Sequence, residues 1–238
     1  MPDLQRYYGH VLSVCEGIAL RGSLILKLKQ KIMNIFFVRH GQTKCNELGL
    51  GQNDYEPLSA IGLKQAEMIA RRAKALPIDI IHASPMKRAS QTAETIKAAV
   101  NKEIIYSELL IEHRLPSVMI GEALESSLAA QIRKECNLYQ DDISWHYSDE
   151  ENFLEYKARA RQALEYLSAL PQKNILVVSH GNFIKMLVLT MALGDLIKPA
   201  ALYAFANKFR LRNTGLTYCK KTGTGWSVES FNDHRHLG

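Results

Sequence analysis

Two short apolar runs that end in the same dipeptide constrain the fold of this chain more than any other feature. Residues 35–41 read IFFVRHG, and residues 176–181 read LVVSHG. Short runs rich in Val, Ile and Phe predict strands that are buried on both faces. Each run stops at a histidine followed by a glycine, which lets the backbone turn sharply and approach a ligand closely. The two histidines are therefore predicted to lie at one edge of a single sheet.

Segments with helical periodicity separate the apolar runs, so strands and helices are predicted to alternate. The predicted strands are 34–39, 78–84, 103–107, 174–180 and a terminal pair within 203–231 that turns at KTGTG. The predicted helices run from Ser59 to about Leu76, from Ser84 and Pro85 to Val100, from a Ser148–Glu151 capping box to Leu170, and over 182–193. This alternation predicts a three-layer α/β/α sandwich with a mostly parallel sheet and a small helical cap insertion.

The predicted domain organisation is one catalytic domain, residues 33–238, preceded by an appendage, residues 1–32. Met33 directly precedes the first predicted strand, so it is a natural start for the domain. Weak periodicity around 113–147 indicates the cap insertion. We expect a chain that begins at Met33 to keep its stability and activity.

Composition and charge limit the classes of partner. The four cysteines are far apart and form no CxxC pair, which favours a reducing, cytoplasmic location. The net charge of +6 comes from dispersed basic residues, so no nucleic-acid partner is expected. No apolar stretch reaches the length of a membrane span, and no membrane partner is expected. The expected partner is a small phosphorylated substrate, and the chain is expected to be a monomer or a homodimer.

Basic side chains are predicted to join the two histidines at the carboxyl edge of the sheet, where open α/β sheets bind ligands. The strand at 78–84 leads into SPMKRASQTA, which places Arg88 in the first turn of a helix. Arg39 directly precedes His40. Two guanidinium groups repel a divalent cation, but their planar donors match the oxygens of a tetrahedral dianion. The sequence therefore predicts a phosphate pocket and no metal site.

An imidazole in a phosphate pocket can act as a nucleophile. Neutral His40 is predicted to attack phosphorus while the arginines and a protonated His180 stabilise charge on the equatorial oxygens. The leaving alkoxide needs a proton, and Glu108 or Glu112, after the third strand, can supply it.

Four short motifs in this order resemble those of the histidine phosphatase superfamily, also called phosphoglycerate mutase-like. They are RHGQTKCN at 39–46, SPMKRASQTA at 84–93, LIEHR at 110–114 and VVSHGN at 177–182. The resemblance extends over about residues 33–232 and is greatest to phosphatase-type bacterial members. Each motif is weak alone, but four in the right order are specific.

The resemblance implies a role for each candidate residue. His40 would become a phosphohistidine, and Glu112, rather than Glu108, would be the general acid and then the base that activates water. The residues implied in binding the phosphoryl group and the substrate are Arg39, Asn46, Arg88, His180 and Asn182. The resemblance implies no metal and no organic cofactor.

The expected function is that of a metal-independent, broad-specificity phosphomonoesterase acting on a small phosphorylated metabolite. A cofactor-dependent phosphoglycerate mutase is the first alternative. Its relatives usually follow the donor glutamate with a Gly-x-x-Glu-Gly type run and a longer insertion, whereas residues 112–122 read EHRLPSVMIGE. A non-catalytic phosphate-recognition module is the second alternative. A damaged catalytic set would mark such a module, and this set is complete.

Overall fold

A six-stranded mixed sheet forms the centre of the computed structural model, which describes residues 32–238. The predicted appendage falls almost wholly on residues 1–31, which lie outside the described residues, so it stays a prediction. The strands are β1 (Met33–Arg39), β2 (Ile80–Ala83), β3 (Ile104–Tyr106), β4 (Asn174–Ser179), β5 (Leu216–Thr222) and β6 (Gly225–Asp233). Their order is β3-β2-β4-β1-β5-β6; the first four pair in parallel, β5 is antiparallel to β1, and β6 is antiparallel to β5. The prediction of a mostly parallel sheet is confirmed.

Helices cover both faces of the sheet. They are α1 (Lys44–Leu48), α2 (Ala60–Ala73), α3 (Lys87–Val100), α4 (Ser127–Leu138), α5 (Phe153–Ala169), α6 (Gly181–Leu193) and α7 (Pro199–Lys208). One face packs against α2 and α3, and the other packs against α5 and α6. This is the predicted three-layer α/β/α sandwich. No helix within residues 32–238 combines the length and the apolar character needed to cross a membrane.

Successive residues of β1 enter different layers of the core. Ile35 and Phe37 pack with α5 and α6, whereas Phe36 and Val38 pack with α2 and α3. Side chains alternate between the two faces of a strand, so a strand covered on both faces must be apolar at every position. This explains why the central strands read as uninterrupted apolar runs.

Helix starts agree with the sequence prediction at one position and differ at two. Ser59 caps α2 by accepting a hydrogen bond from the backbone N–H of Gly62, as predicted. The predicted Ser84 cap of α3 is wrong, because α3 begins at Lys87 and Ser84 contacts a histidine instead. The predicted Ser148–Glu151 capping box is also wrong. Asn152 and Glu155 form the capping box of α5, and the carboxylate of Glu151 is bound by Arg159.

The C-terminal region holds a helix that the sequence reading missed. Residues 203–208 belong to α7, which starts with Pro199 in its first turn, where its fixed φ and missing N–H are tolerated. Leu202 and Phe205 pack against the core with Phe231 of β6. The strand pair and its turn follow this helix, near the predicted KTGTG sequence.

The segment predicted as a cap contains α4 and a small apolar cluster built on Met119, Ala129 and Ile132. Isolated bridges join this segment to residues 50 and 51. A Cβ atom on Gly51 would lie 1.9 Å from the carbonyl oxygen of Met119, so this approach requires glycine. The loop after α1 and the cap are therefore held together by close backbone contact.

Candidate active site

Four candidate side chains meet at the carboxyl ends of the parallel strands. The register of β1 and β4 pairs Arg39 with Ser179, so the residues that follow, His40 and His180, emerge side by side. Their ring centroids are 5.1 Å apart. His180 is fully buried, and His40 is 2% exposed. Arg39 and Arg88 both lower the pKa of each imidazole, which places all four groups within one electrostatic cluster.

The backbone of Arg39 and His40 is held by a segment after α7. The backbone N–H of Thr214 donates to the carbonyl of Arg39 at 2.9 Å, and the Asn213 amide donates to the carbonyl of His40 at 3.0 Å. Thr214 has a φ of 57°, a left-handed conformation that is uncommon for a β-branched residue. The sequence analysis missed this segment, and its only local signal is the turn-forming Asn-Thr-Gly.

Two glycines let the loop after β1 pack directly against the start of α2. A Cβ atom on Gly41 would lie 2.5 Å from the carbonyl oxygen of Gly62, and one on Gly62 would lie 2.0 Å from the carbonyl oxygen of Gln42. The backbone N–H of Gly41 donates to the hydroxyl of Thr92 at 3.1 Å. The loop that carries His40 is thus fixed by backbone contact on both sides.

The protonation of His40 suits a nucleophile. Its Nδ1 lies 2.7 Å from the carbonyl oxygen of Gly41. A carbonyl only accepts, so Nδ1 carries the hydrogen and Nε2 keeps its lone pair. Burial, followed by the charges of Arg88 and Arg39, lowers the pKa of His40 well below its usual value. His40 is therefore neutral near pH 7.

The neighbouring His180 is arranged to donate. Its Nε2 lies 2.8 Å from the hydroxyl oxygen of Ser84, which also accepts from the backbone N–H of Met86 at 3.3 Å. This favours donation by the Ser84 hydroxyl to Nε2, which leaves the hydrogen on Nδ1. Burial lowers the pKa of His180 well below its usual value. Burial and the neighbouring positive charges thus favour a neutral imidazole, and the protonation of His180 during phosphoryl transfer stays a prediction.

Three buried hydrogen-bond donors in this cluster have no protein acceptor among the described residues. Nε of Arg39, Nε of Arg88 and Nδ1 of His180 are all buried and have no hydrogen-bond partner among the described residues. Other donors of the same guanidinium groups are occupied by the carbonyls of Leu211 and Asn53. An unpaired buried donor is costly, so this cluster favours a ligand with several acceptor oxygens. Within residues 32–238, no three His, Cys, Asp or Glu side chains are grouped to hold a metal ion.

The two candidate acids occupy different environments. The carboxylate of Glu112 accepts from the backbone N–H groups of Phe183 at 2.9 Å, His113 at 3.0 Å and Asn182 at 3.1 Å. It therefore sits at the start of α6, directly after His180. The side chain of Glu108 is 74% exposed and lies 3.9 Å from Arg114 at the surface. Of the two, only Glu112 reaches the histidine motif.

A largely enclosed arginine that the sequence analysis missed, with its side chain 12% exposed, holds the segment carrying Glu112. Arg159 of α5 donates to the carbonyl oxygens of Leu109 at 3.2 Å, Ile111 at 2.9 Å and Glu112 at 3.3 Å. Its remaining donors bind the carboxylate of Glu151 in a bidentate pair, with both distances 2.6 Å. The five N–H donors of the guanidinium are thus all used, and the position of the candidate acid depends on them.

The two candidate asparagines lie at the edges of this cluster. Asn46 forms the capping box of α1 with Thr43, and its Oδ1 accepts from the Asn213 amide at 3.1 Å. These contacts give Asn46 a structural role, and its contact with substrate stays a prediction. Asn182 is exposed at the start of α6, where it lines a cleft.

This cleft, called the cap cleft below, has a volume of about 640 Å³ and is bounded by residues 113–156, Asn182 and residues 199–207. It adjoins Glu112 through its wall residues His113 and Asn182. A separate open depression of about 760 Å³, on the other side of α5 beside Trp226, touches none of the candidate residues.

Comparison with known proteins identifies related sequences and structures. The family model described as "Histidine phosphatase superfamily (branch 1)" matches residues 35–234. A probable phosphoglycerate mutase GpmB from Shigella boydii is 33% identical over 214 residues, covering 87% of this chain and 95% of that protein. The phosphoserine phosphatase of Entamoeba histolytica, solved as a mutant with phosphoserine, is 28% identical with a TM-score of 0.71, covering 87% and 100% of the two chains. The α-ribazole phosphatase of Shigella flexneri, 20% identical over 84% and 96% of the chains with a TM-score of 0.69, supports the fold.

Proposed function

The chain belongs to the histidine phosphatase superfamily, branch 1, and from this we propose that it is a metal-independent phosphomonoesterase that forms a phosphohistidine on His40. The observation that carries the proposal is the neutral, buried His40 imidazole among three buried donors without protein acceptors. A phosphoryl group supplies the acceptor oxygens that Arg39, Arg88 and His180 lack.

In the first step, Nε2 of His40 attacks phosphorus and the bond from phosphorus to the alcohol oxygen breaks. The Glu112 carboxyl gives its proton to that oxygen, so the alcohol leaves uncharged. The two arginines bind the equatorial oxygens, where charge develops. His180 donates from Nδ1 and can accept a proton once the anion offsets the neighbouring positive charges.

In the second step, the Glu112 carboxylate takes a proton from a water molecule, which attacks phosphorus. The bond between phosphorus and His40 breaks, inorganic phosphate leaves and the starting protonation of Glu112 is restored. Arg159 supports both steps, because it fixes the backbone of Glu112 on the side of the leaving group.

Mutase activity is the second candidate, because the probable phosphoglycerate mutase from Shigella boydii matches over 95% of its length. A mutase shares the first step but returns the phosphoryl group to another hydroxyl. The likeness to a solved phosphoserine phosphatase favours hydrolysis. A coupled assay with 3-phosphoglycerate separates the two reactions, since only a mutase forms 2-phosphoglycerate.

The test of the proposal is turnover of p-nitrophenyl phosphate by the purified full chain. His40→Ala should abolish turnover, and EDTA should leave the wild-type rate unchanged. Full activity in His40→Ala would dismiss the mechanism. Tight phosphopeptide binding without turnover in the wild type would favour the recognition module. The cytoplasmic location, the absence of nucleic-acid and membrane partners and the monomeric or homodimeric state stay part of the proposal.

A further inference from the structure

The cap cleft adjoins Glu112, the residue that the proposed mechanism uses to protonate the alcohol. The backbone N–H groups of His113 and Asn182 both bind the Glu112 carboxylate, and both residues line the cleft. Glu112 does not itself line the cleft, but its carboxylate is one hydrogen bond away from two residues that do. From an oxygen protonated by Glu112, the rest of the alcohol can extend away from phosphorus and into the cleft.

The cap cleft is large and mainly apolar. Its volume of about 640 Å³ equals that of roughly 20 water molecules. Its apolar wall residues include Leu115, Met119, Ile132, Phe153 and Leu202. Cavities of this size and character bind ligands through buried apolar surface, with a few polar groups that fix orientation. A small hydroxy acid or amino acid would leave most of this space to water.

Two aromatic rings form one wall of the cleft. Tyr139 and Trp145 are stacked, with their centroids 4.5 Å apart and their planes at 21°, and both line the cavity. An aromatic ring of a ligand can extend such a stack, because offset-stacked rings attract beyond the effect of buried area.

The charged residues of the cleft disfavour a second anionic group on the substrate. Three glutamates line it, against one arginine, Arg133. Glu151 is neutralised by Arg159, but Glu125 is exposed and Glu150 accepts from the backbone N–H groups of Tyr147 and Ser148, which carry no full charge. Arg133 is exposed and already donates to the carbonyl of Leu124. A substrate carboxylate here would face net negative charge.

We propose that the cap cleft binds the alcohol part of the substrate, and that this alcohol is bulky, uncharged and carries an aromatic ring that stacks on Trp145. The proposal rests on the proposed phosphatase function and names its substrate class. The proposed substrate differs from phosphoserine, the ligand bound to the Entamoeba histolytica neighbour. The proposal concerns only the alcohol part of the substrate, and the residues that bind the phosphoryl group stay the same.

The first test compares three esters that all release alkyl alcohols: 2-phenylethyl phosphate, ethyl phosphate and phosphoserine. We expect kcat/KM for 2-phenylethyl phosphate to exceed that of each of the others by about tenfold or more. Trp145→Ala should lower the ratio of kcat/KM for the phenylethyl to the ethyl ester by roughly tenfold. Trp226→Ala is the matched control, because Trp226 borders the separate depression, and it should leave the ratio unchanged.

The second test measures binding without catalysis. The chain has two tryptophans, so Trp226→Phe leaves Trp145 as the only indole emitter. Addition of 3-phenylpropylphosphonate, which cannot be hydrolysed, should change the Trp145 emission, whereas propylphosphonate should not.

The results of the two tests distinguish the proposed substrate class of the cap cleft from the proposed phosphatase function. Faster turnover of phosphoserine than of the phenylethyl ester, or an unchanged ratio in Trp145→Ala, would overturn the substrate class while leaving the phosphatase intact. A Trp145 response to the phenyl ligand without turnover of any ester would support the cleft assignment and refute the phosphatase.

Discussion

Arg159→Met tests whether the Arg159 guanidinium positions Glu112, the proposed general acid. The substitution keeps an unbranched apolar side chain over the ring of Phe183, which the guanidinium carbon approaches to 4.2 Å. It removes the donors to the carbonyls of Ile111 and Glu112. The segment that carries the Glu112 carboxyl then loses its attachment to α5.

The expected cost to stability follows from the broken ion pair. The side chain of Glu151 is 11% exposed, so removal of Arg159 leaves a buried carboxylate without its cation. For a pair that keeps some contact with solvent, such a loss costs about 2–4 kcal/mol of the free energy of unfolding. The double variant Arg159→Met, Glu151→Gln removes the stranded charge and should recover part of that cost. Kinetics are therefore measured on the double variant as well, to separate positioning from folding.

The assay compares leaving groups. General acid catalysis contributes about 10²–10⁴-fold when the leaving group needs a proton, and little when it does not. We expect Arg159→Met to lower kcat/KM, which covers the steps up to release of the alcohol, about 10- to 100-fold for ethyl phosphate and less than about threefold for p-nitrophenyl phosphate. Equal losses for the two esters would refute the positioning role and leave Arg159 a stability residue alone.

Arg161→Met is the matched control on the same helix. The Arg161 side chain is 58% exposed and forms long surface pairs with Glu165 and Asp195. Arg161→Met should change the free energy of unfolding by less than about 0.5 kcal/mol and leave the turnover of both esters unchanged.

Three further predictions follow from the packing and the buried imidazoles. Gly62→Ala forces a Cβ to within 2.0 Å of the Gln42 carbonyl, so it should destabilise the fold by several kcal/mol in urea unfolding, and wild-type stability would contradict the close approach. Burial and a neighbouring guanidinium lower the pKa of His236 to about 4. The unfolded chain therefore binds more protons below pH 6.5, and stability should fall by about 1–2 kcal/mol as pH drops from 6.5 towards 4, because the partial exposure of His236 weakens the effect; His236→Asn should reduce that fall. Ser84→Ala removes the hydroxyl that orients His180 and should lower kcat about tenfold, at a cost of about 1–3 kcal/mol of stability because buried polar groups lose their partner; an unchanged kcat would exclude the orienting role.

Sequence patterns predicted the parts of the site that depend on strands. His40 and His180 each follow an uninterrupted apolar run, and the parallel register of the two runs brings the rings together. Arg88 was placed correctly in the first turn of α3, although the residue that caps this helix was not. The periodicity of apolar residues indicates which segments are buried and where each strand ends. The positions of the two histidines and of Arg88 depend on these two properties, so they could be predicted.

Long-range polar contacts could not be read from the sequence. Arg159 meets the carbonyl of Glu112 across 47 residues, and Asn213 meets that of His40 across 173 residues. Arg159 leaves no local pattern, and the Asn-Thr-Gly at 213–215 predicts a turn but not its partner. The capping error at α5 has the same origin, because the carboxylate of Glu151 is engaged by Arg159 and is not free to form a capping box.

The central claim is that the phosphoryl group is carried on His40, and trapping the intermediate tests it most directly. A rapid acid-free quench of the wild type during turnover, followed by peptide mass spectrometry, should locate an acid-labile, alkali-stable phosphoryl group on His40. A chiral phosphate ester should be hydrolysed with net retention at phosphorus, because two displacements each invert it. Net inversion, or a phosphoryl group on any other residue, would contradict the account.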